Sequence, residues 1–542
     1  MALVRASPTP LASDARPDAH DGGRAPAPDR GQELQDRART AGRGGMAVLG
    51  AKLFFLVVGF AQQPLLRLAV GLNDFGALAQ ALVVANTVNN VVVASGTQGV
   101  SRVVAGAKGH EPEALRAALR VHVPLALVVA AAMAVAAPLY AIFERAEDVV
   151  APLLVLGGVA LLYGLYAPLI GYLNGRSRFG RQALLDVTFA TLRTVGLIGF
   201  GYEFVRHGLS GVLGTTVGWV CAAGIIVPLA ALSTGLGKKA DASSHVPRPG
   251  AYLAILAPIA GAQICTNALM QVDIALLGRF LSGSAVASGL VGTGQRDSVK
   301  AWLAIYKECQ TFALLPYQLL FSVTLVLFPM VARAWAEGDG AAVRAYTARG
   351  ARLAAIFGGL MVGVVVAMPE SMLSFAYGAA DAARGADVLR LMALAQAAFA
   401  MMAIATTVLT SIGHERRAAL VTLGAVLGVA AACALLVPQA RFGHAQLLRS
   451  AQASGGALLA TLVVAGVLVH RKAGAFVPAA TIARVGIALA ACVALGLVMP
   501  RFGRLLTPVI AGVVAIAYFA VLLLSREIGA DDVAMVRSLA RK

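Results

Sequence analysis

The sequence predicts an all-α polytopic membrane protein: about fourteen transmembrane helices, set as two pseudo-symmetric six-helix lobes around a central cavity, with two further helices at the C-terminal end. Three observations carry this: composition, recurring apolar runs, and positive charge concentrated in alternate loops. Of 542 residues, 58% are hydrophobic and 13% charged, with a mean hydropathy of +0.77. A soluble domain carries about 25% charged residues. A chain this long with half that charge cannot cover its surface with polar groups, so its solvent is lipid.

Apolar runs long enough to cross about 30 Å of hydrocarbon fall near 46–71, 77–102, 121–143, 150–173, 183–204, 209–234, 251–279, 302–332, 349–374, 387–412, 418–438, 448–470, 478–500 and 505–525. They divide the chain into a disordered cytoplasmic tail (1–44), an N-terminal lobe (45–235), a cytoplasmic linker (236–250), a C-terminal lobe (251–470), two added helices (471–525) and a second tail (526–542). The first tail mixes Pro, Ala, Asp and Arg, lacks the apolar core of a signal peptide, and buries too little to fold.

Formal net charge is +18. A soluble protein so basic would suggest nucleic acid, but no basic stripe here is interleaved with aromatics, and no nucleic-acid partner is expected. With the N-terminus inside, loops assigned to the cytoplasm hold thirty Lys and Arg, and outer loops hold eleven. That asymmetry orients both termini to the cytoplasm. Arg outnumbers Lys 37 to 8, which suits a high-GC bacterial genome and a cytoplasmic (inner) membrane.

Two loop pairs repeat at an offset near 230 residues. GVSRVVAGAKGHEPEALRAALR (99–120) parallels PMVARAWAEGDGAAVRAYTAR (329–349), and LNGRSRFGRQAL (173–184) parallels SIGHERRAAL (411–420). Each first member follows the second or fourth span, and each second member the eighth or tenth. This is the pattern of duplicated bundles, which in transporters place the substrate at their interface.

The run FALLPYQLLFSVTLVLFPMVARAWAEGD (312–339) resembles the eighth-helix region of polysaccharide exporters. PESMLSFAYGAADAARGADVLRLMALAQAAFAMMAIATTVLTSIGHERRAAL (369–420) and VDIALLGRFL (272–281) are similar to other parts of the same family. These exporters belong to the multidrug/oligosaccharidyl-lipid/polysaccharide (MOP) flippase superfamily. The resemblance implies two lobes, alternating access and a lipid-linked glycan as cargo, with membrane lipids and a polysaccharide polymerase or glycosyltransferases as partners. The stretch ANTVNNVVVASGTQGVSR (85–102) lacks the arginine-rich pattern of the lipid II flippase branch. O-antigen-like or capsule-like repeat units therefore stand ahead of the peptidoglycan precursor, and a cation-coupled multidrug exporter is the alternative within the superfamily.

An anionic, hydroxyl-rich headgroup calls for fixed cations and amides, and ionisable residues within spans are costly, by roughly 2.5–3.5 kcal/mol at a helix centre. Lys52, Gly59, Gln63 and Arg67 share one face of the first helix; they fit a cavity wall, or two cations reaching opposite interfaces. Asn86 and Asn90 share a face of the second with Thr97 and Ser101. Arg193 sits near the middle of the fifth helix, with Asp186 seven residues earlier. Gln263, Asn267 and Gln271 recur at four-residue steps on the seventh, followed by Asp273. Lys307 and Glu308 open the eighth, and a gate in which Asp273 meets Lys307 is one expectation. These form the candidate substrate cavity (Lys52, Gln63, Arg67, Asn86, Asn90, Arg193, Gln263, Asn267, Gln271) and the candidate gate or ion-coupling set (Asp186, Asp273, Lys307, Glu308).

No HExxH, GxSxG or P-loop occurs, so the reading is a carrier and not an enzyme. Five cysteines in apolar stretches with no metal-ligand spacing imply neither metal nor cofactor.

Overall fold

The computed structural model describes residues 50–51, 53–107, 109–235, 249–499 and 506–529. The first tail, most of the inter-lobe linker, residues 530–542 of the second tail and Lys52 lie outside the described residues. Thirteen helices among those described are long and apolar enough to cross a membrane. Helix α1 covers Leu53–Val70. It is followed by α2 (Leu72–Gly106), α3 (Glu111–Glu144), α4 (Val150–Gly175), α5 (Phe179–Arg206) and α6 (Gly211–Thr234). The second half contains α7 (Pro249–Ala287), α8 (Gly292–Ala313), α9 (Leu315–Ala336), α10 (Gly340–Ala367), the short α11 (Pro369–Tyr377), α12 (Ala379–Ser411), α13 (Glu415–Leu436) and α14 (His444–Ala473). Helices α15 (Ala479–Val498) and α16 (Thr507–Leu524) complete the chain.

The eighth expected span is not one helix. Residues 302–332 divide between α8 and α9 at Leu314, because Pro316 in the first turn of α9 has no N–H to continue the ladder. Neither piece is among the thirteen helices long and apolar enough to cross. Helix α7, at 39 residues, is about 58 Å long, and runs well past the predicted end at 279.

Local signals fix several ends. Gly71, at φ +84°, makes a one-residue turn between α1 and α2 that a side chain would strain. Asp339 caps α10 by accepting from the N–H groups of Ala341 and Ala342 at 3.0 and 2.8 Å. Asp74 of α2 accepts from Gly211 N at 2.6 Å and so satisfies the opening of α6.

Three buried cores result. One joins α2–α6 and takes Tyr252 and Leu256 from the beginning of α7. A second spans α8–α14 and takes Leu269, Ile274, Leu277 and Leu281 from the end of α7. The third ties α10 to α15 and α16 through Ile356, Val485, Cys492, Val514 and Tyr518. Helix α7 therefore passes from one half to the other. The end of the bundle holding the α1–α2, α3–α4, α5–α6 and α7–α8 turns is called distal below, and the opposite end proximal.

Candidate functional site

The halves meet along α2, which packs on α7 and α8. From Phe75 to Ala81, every residue of α2 is buried. The contact is close because Gly76 faces the Lys300 carbonyl, where a Cβ would overlap it. Towards the proximal end α2 is covered on one flank only. Gly99 seats against Leu256 and Tyr252 of α7, while Asn90, Gln98 and Arg102 are exposed.

Charge closes the distal end. Asp148 pairs with Lys300 at 2.5 Å, and Glu147 with Arg296 at 2.7 Å. Deeper in, the Arg67 guanidinium of α1 donates through Nε to Glu308 of α8 at 3.0 Å and through a terminal nitrogen to Asp381 of α12 at 2.7 Å. The Glu308 and Asp381 side chains are 1% and 8% exposed, so this is a buried cation between two carboxylates. Glu308 Oε2 and the Tyr377 hydroxyl are buried without partners. An aromatic seam lies beside the pairs: Phe60 packs edge-on to Phe312 at 5.2 Å, and Phe312 to Tyr377 at 6.2 Å.

The expected site residues fall into separate places. Arg67 and Glu308 meet in the latch just described. Asn90 donates to Asn267 at 2.8 Å, and Asn267 donates to the Gln263 carbonyl at 2.9 Å, so both amide rows meet where α2 crosses α7. Gln63, Asn86 and Gln271 are half-buried. Arg193 lies inside the first half, its guanidinium over the rings of Phe55 at 4.8 Å and Trp219 at 5.8 Å, with Nε lacking a hydrogen-bond partner. Asp186 is half-buried on the same helix.

Asp273 and Lys307 do not form an ion pair in this state. Asp273 accepts from the Tyr306 hydroxyl at 2.8 Å within the second core, and Lys307 donates to Gln310 at 2.8 Å. Adjacent residues on a helix point about 100° apart, so the residue beside Lys307, not Lys307 itself, reaches Asp273. Among the described residues, no group of His, Cys, Asp and Glu is placed to hold a metal ion.

Sequence reasoning missed Asp381, Glu144 and the Asp148–Lys300 and Glu147–Arg296 pairs. Glu144, Glu147, Asp148 and Arg296 lie near helix ends, where a charge ordinarily signals solvation.

No protein-family model matches the chain, and no curated protein matches it. Solved structures do. The structure of the lipid II flippase MurJ in an inward closed conformation is 11% identical and superposes with a TM-score of 0.68, covering 89% of this chain and 99% of that one. An inward-facing multidrug resistance transporter of the MATE family, in the MOP superfamily, is 13% identical with a TM-score of 0.58, covering 79% and 98%. A MOP-superfamily transporter from Pyrococcus furiosus, described as having a binding pocket of reversed polarity, is 14% identical with a TM-score of 0.54, covering 79% and 95%. The chain is thus an all-helical polytopic membrane protein with the fold of MOP-superfamily transporters.

Proposed function

We propose that this protein is an alternating-access flippase that carries a polyprenyl-diphosphate-linked oligosaccharide, an O-antigen-, capsule- or exopolysaccharide-type repeat unit, across a bacterial inner membrane. The observation that carries the reading is the two-sided burial of α2. It is enclosed over Phe75–Ala81 and bares Asn90, Gln98 and Arg102 farther on. Two halves latched distally and parted proximally leave a cleft whose wall is amide and cation, where lipid alone would select apolar side chains.

That wall suits a hydroxyl-rich anionic headgroup. A drug cation would want carboxylates open to the cleft, whereas Asp273, Glu308 and Asp381 are bonded elsewhere in this state and Glu144 is fully buried. Length adds support. The lipid II flippase matches 89% of the chain and the multidrug transporter 79%, a difference about the size of α15–α16 with their connections. The positive-charge asymmetry supports a cytoplasmic location for the open proximal end. That is the side on which a lipid-linked precursor would be loaded.

The same similarity keeps lipid II as the second reading of the cargo. One experiment separates them. The purified chain is reconstituted in vesicles with a fluorescent polyprenyl-diphosphate glycan, and a membrane-impermeant quencher reports headgroups reaching the far leaflet. We expect protein-dependent translocation of the oligosaccharide lipid, and preference for lipid II would move the assignment to the peptidoglycan precursor. No translocation of either, with altered resistance of host cells to cationic drugs, would favour the exporter.

A further inference from the structure

At the distal end, α3 closes on Glu144, which is 0% exposed. Its Oε2 accepts from Gln80 Nε2 at 3.4 Å, the long limit of a hydrogen bond, and its Oε1 has no partner. Gln80 Oε1 is likewise buried and unpartnered. The second half of the molecule forms the lid. Gly278 of α7 lies so close that a Cβ would overlap Glu144 Oε2, and Ser282 of α7 donates to the Glu144 carbonyl at 2.8 Å.

The charged and titratable groups around it make their closest contacts elsewhere, although Tyr140 and Arg279 are near enough to act on its carboxyl as well. Tyr140 donates its hydroxyl to the Gln80 carbonyl at 3.1 Å. The guanidinium of Arg279, on the packed face of α7, lies over the Phe143 ring at 5.6 Å. Arg145 is exposed. Glu147 and Asp148 are paired with Arg296 and Lys300 of α8. No ion pair reaches Glu144 among the described residues.

A carboxylate buried without an ion-pair partner in contact is far costlier than the same group carrying a proton. Both orphaned oxygens are acceptors, and a proton on the carboxyl turns one of them into a donor. We propose that Glu144 is a proton-binding site, protonated while the distal end is closed and ionised once Gly278 and Ser282 move away and water reaches it. This rests on the alternating-access reading. Closing then takes up one proton, and acidity at the distal side holds that end shut. The closed-to-open ratio falls about tenfold per pH unit across the window where the closed form is protonated and the open form is not.

The test uses the full chain in lipid nanodiscs. Infrared spectra at neutral pH should contain a protonated-carboxyl band that Glu144→Gln removes. Spin labels at Leu209→Cys and Val291→Cys, both exposed distal turns on opposite halves, report opening, with Cys221 and Cys265 replaced by Ala. The labelled protein should show the long-distance population rising with pH at the slope above, and Glu144→Gln should be flat. Gln matches the protonated acid in shape and charge, so packing is kept. Should that variant not fold, Gly278→Ala, which pushes the lid off the carboxyl, should also lose the band. A wild-type spectrum without the band overturns the site alone. A band with one pH-independent distance overturns the coupling and, with it, the alternating-access reading.

Discussion

Arg67 shows what a single side chain does at the junction. Its planar fork reaches acids on two different helices, which a lysine's point charge does not do with fixed geometry. Breaking a buried pair from one side costs about 3–5 kcal/mol, because the partners stay buried and charged. Arg67→Ala should therefore open the distal end, seen as faster amide hydrogen exchange over 292–300 and 144–150. Adding Glu308→Gln and Asp381→Asn to that variant should restore much of the protection, since the stranded charges are then gone. Exchange that stays at the wild-type rate in Arg67→Ala would show that the latch contributes nothing. The sequence marks Arg67 as a polar residue on a helix face with Gln63. Its partners lie 241 and 314 positions away, and no periodicity links residues at such distances. Asp273 and Lys307 fail as a pair for a related reason: helical spacing shows which way a residue points, but not which neighbour occupies that direction.

At the scale of elements, close approach decides which glycines matter. Three small-residue pairs look alike in the sequence. In the structure, Gly214 and Gly218 take the backbones of Phe200 and Gly196 of α5, and Gly359 and Gly363 take Tyr518 and Cys492, whereas Gly424 has nothing near it. Gly76→Ala should act differently from Gly218→Ala. The first obstructs α2 against α8 across the halves, and so should abolish distal closure while leaving the thermal stability of the first half nearly unchanged. The second should lower stability in any state. Scanning calorimetry with the distal spin labels checks the contrast. The α15–α16 pair is held to α10 at its proximal end by Glu527, which accepts from Thr481 at 2.7 Å, Arg352 at 2.8 Å and Arg484 at 2.9 Å. Burial raises the carboxyl's pKa, but the Thr481 hydroxyl and the two guanidiniums outweigh it, so the folded value lies below the ordinary one. The stabilisation is then complete above the unfolded carboxylate range and is lost as pH falls through the lower folded value. Glu527→Gln should loosen α15–α16 by about 2 kcal/mol at neutral pH and by much less in acid, read from proteolysis of the 474–506 connections. The helices themselves were legible from apolar length, and the break at Pro316 was present in the sequence as a proline within an otherwise continuous run.

For the molecule as a whole, the pattern that matters is asymmetry between its ends. Polar contacts across the halves, from Arg67 to Asp148, gather distally, while α2, α7 and α8 each contribute to both large cores. A carrier of this shape has to break the distal pairs in each cycle, and each exposed pair is weak enough for that, at about 0–1 kcal/mol in water. Tying those residues covalently removes the option. Glu147→Cys with Arg296→Cys, joined by a cleavable bifunctional maleimide in a background lacking Cys221 and Cys265, replaces a 2.7 Å ion pair by a bond without entering the cleft. The cross-linked protein should still bind the glycan lipid from the proximal side, fail to deliver it to the far leaflet, and recover when the linker is cut. If translocation continues at its original rate with the linker intact, the distal end does not open during transport, and cargo must leave by another route.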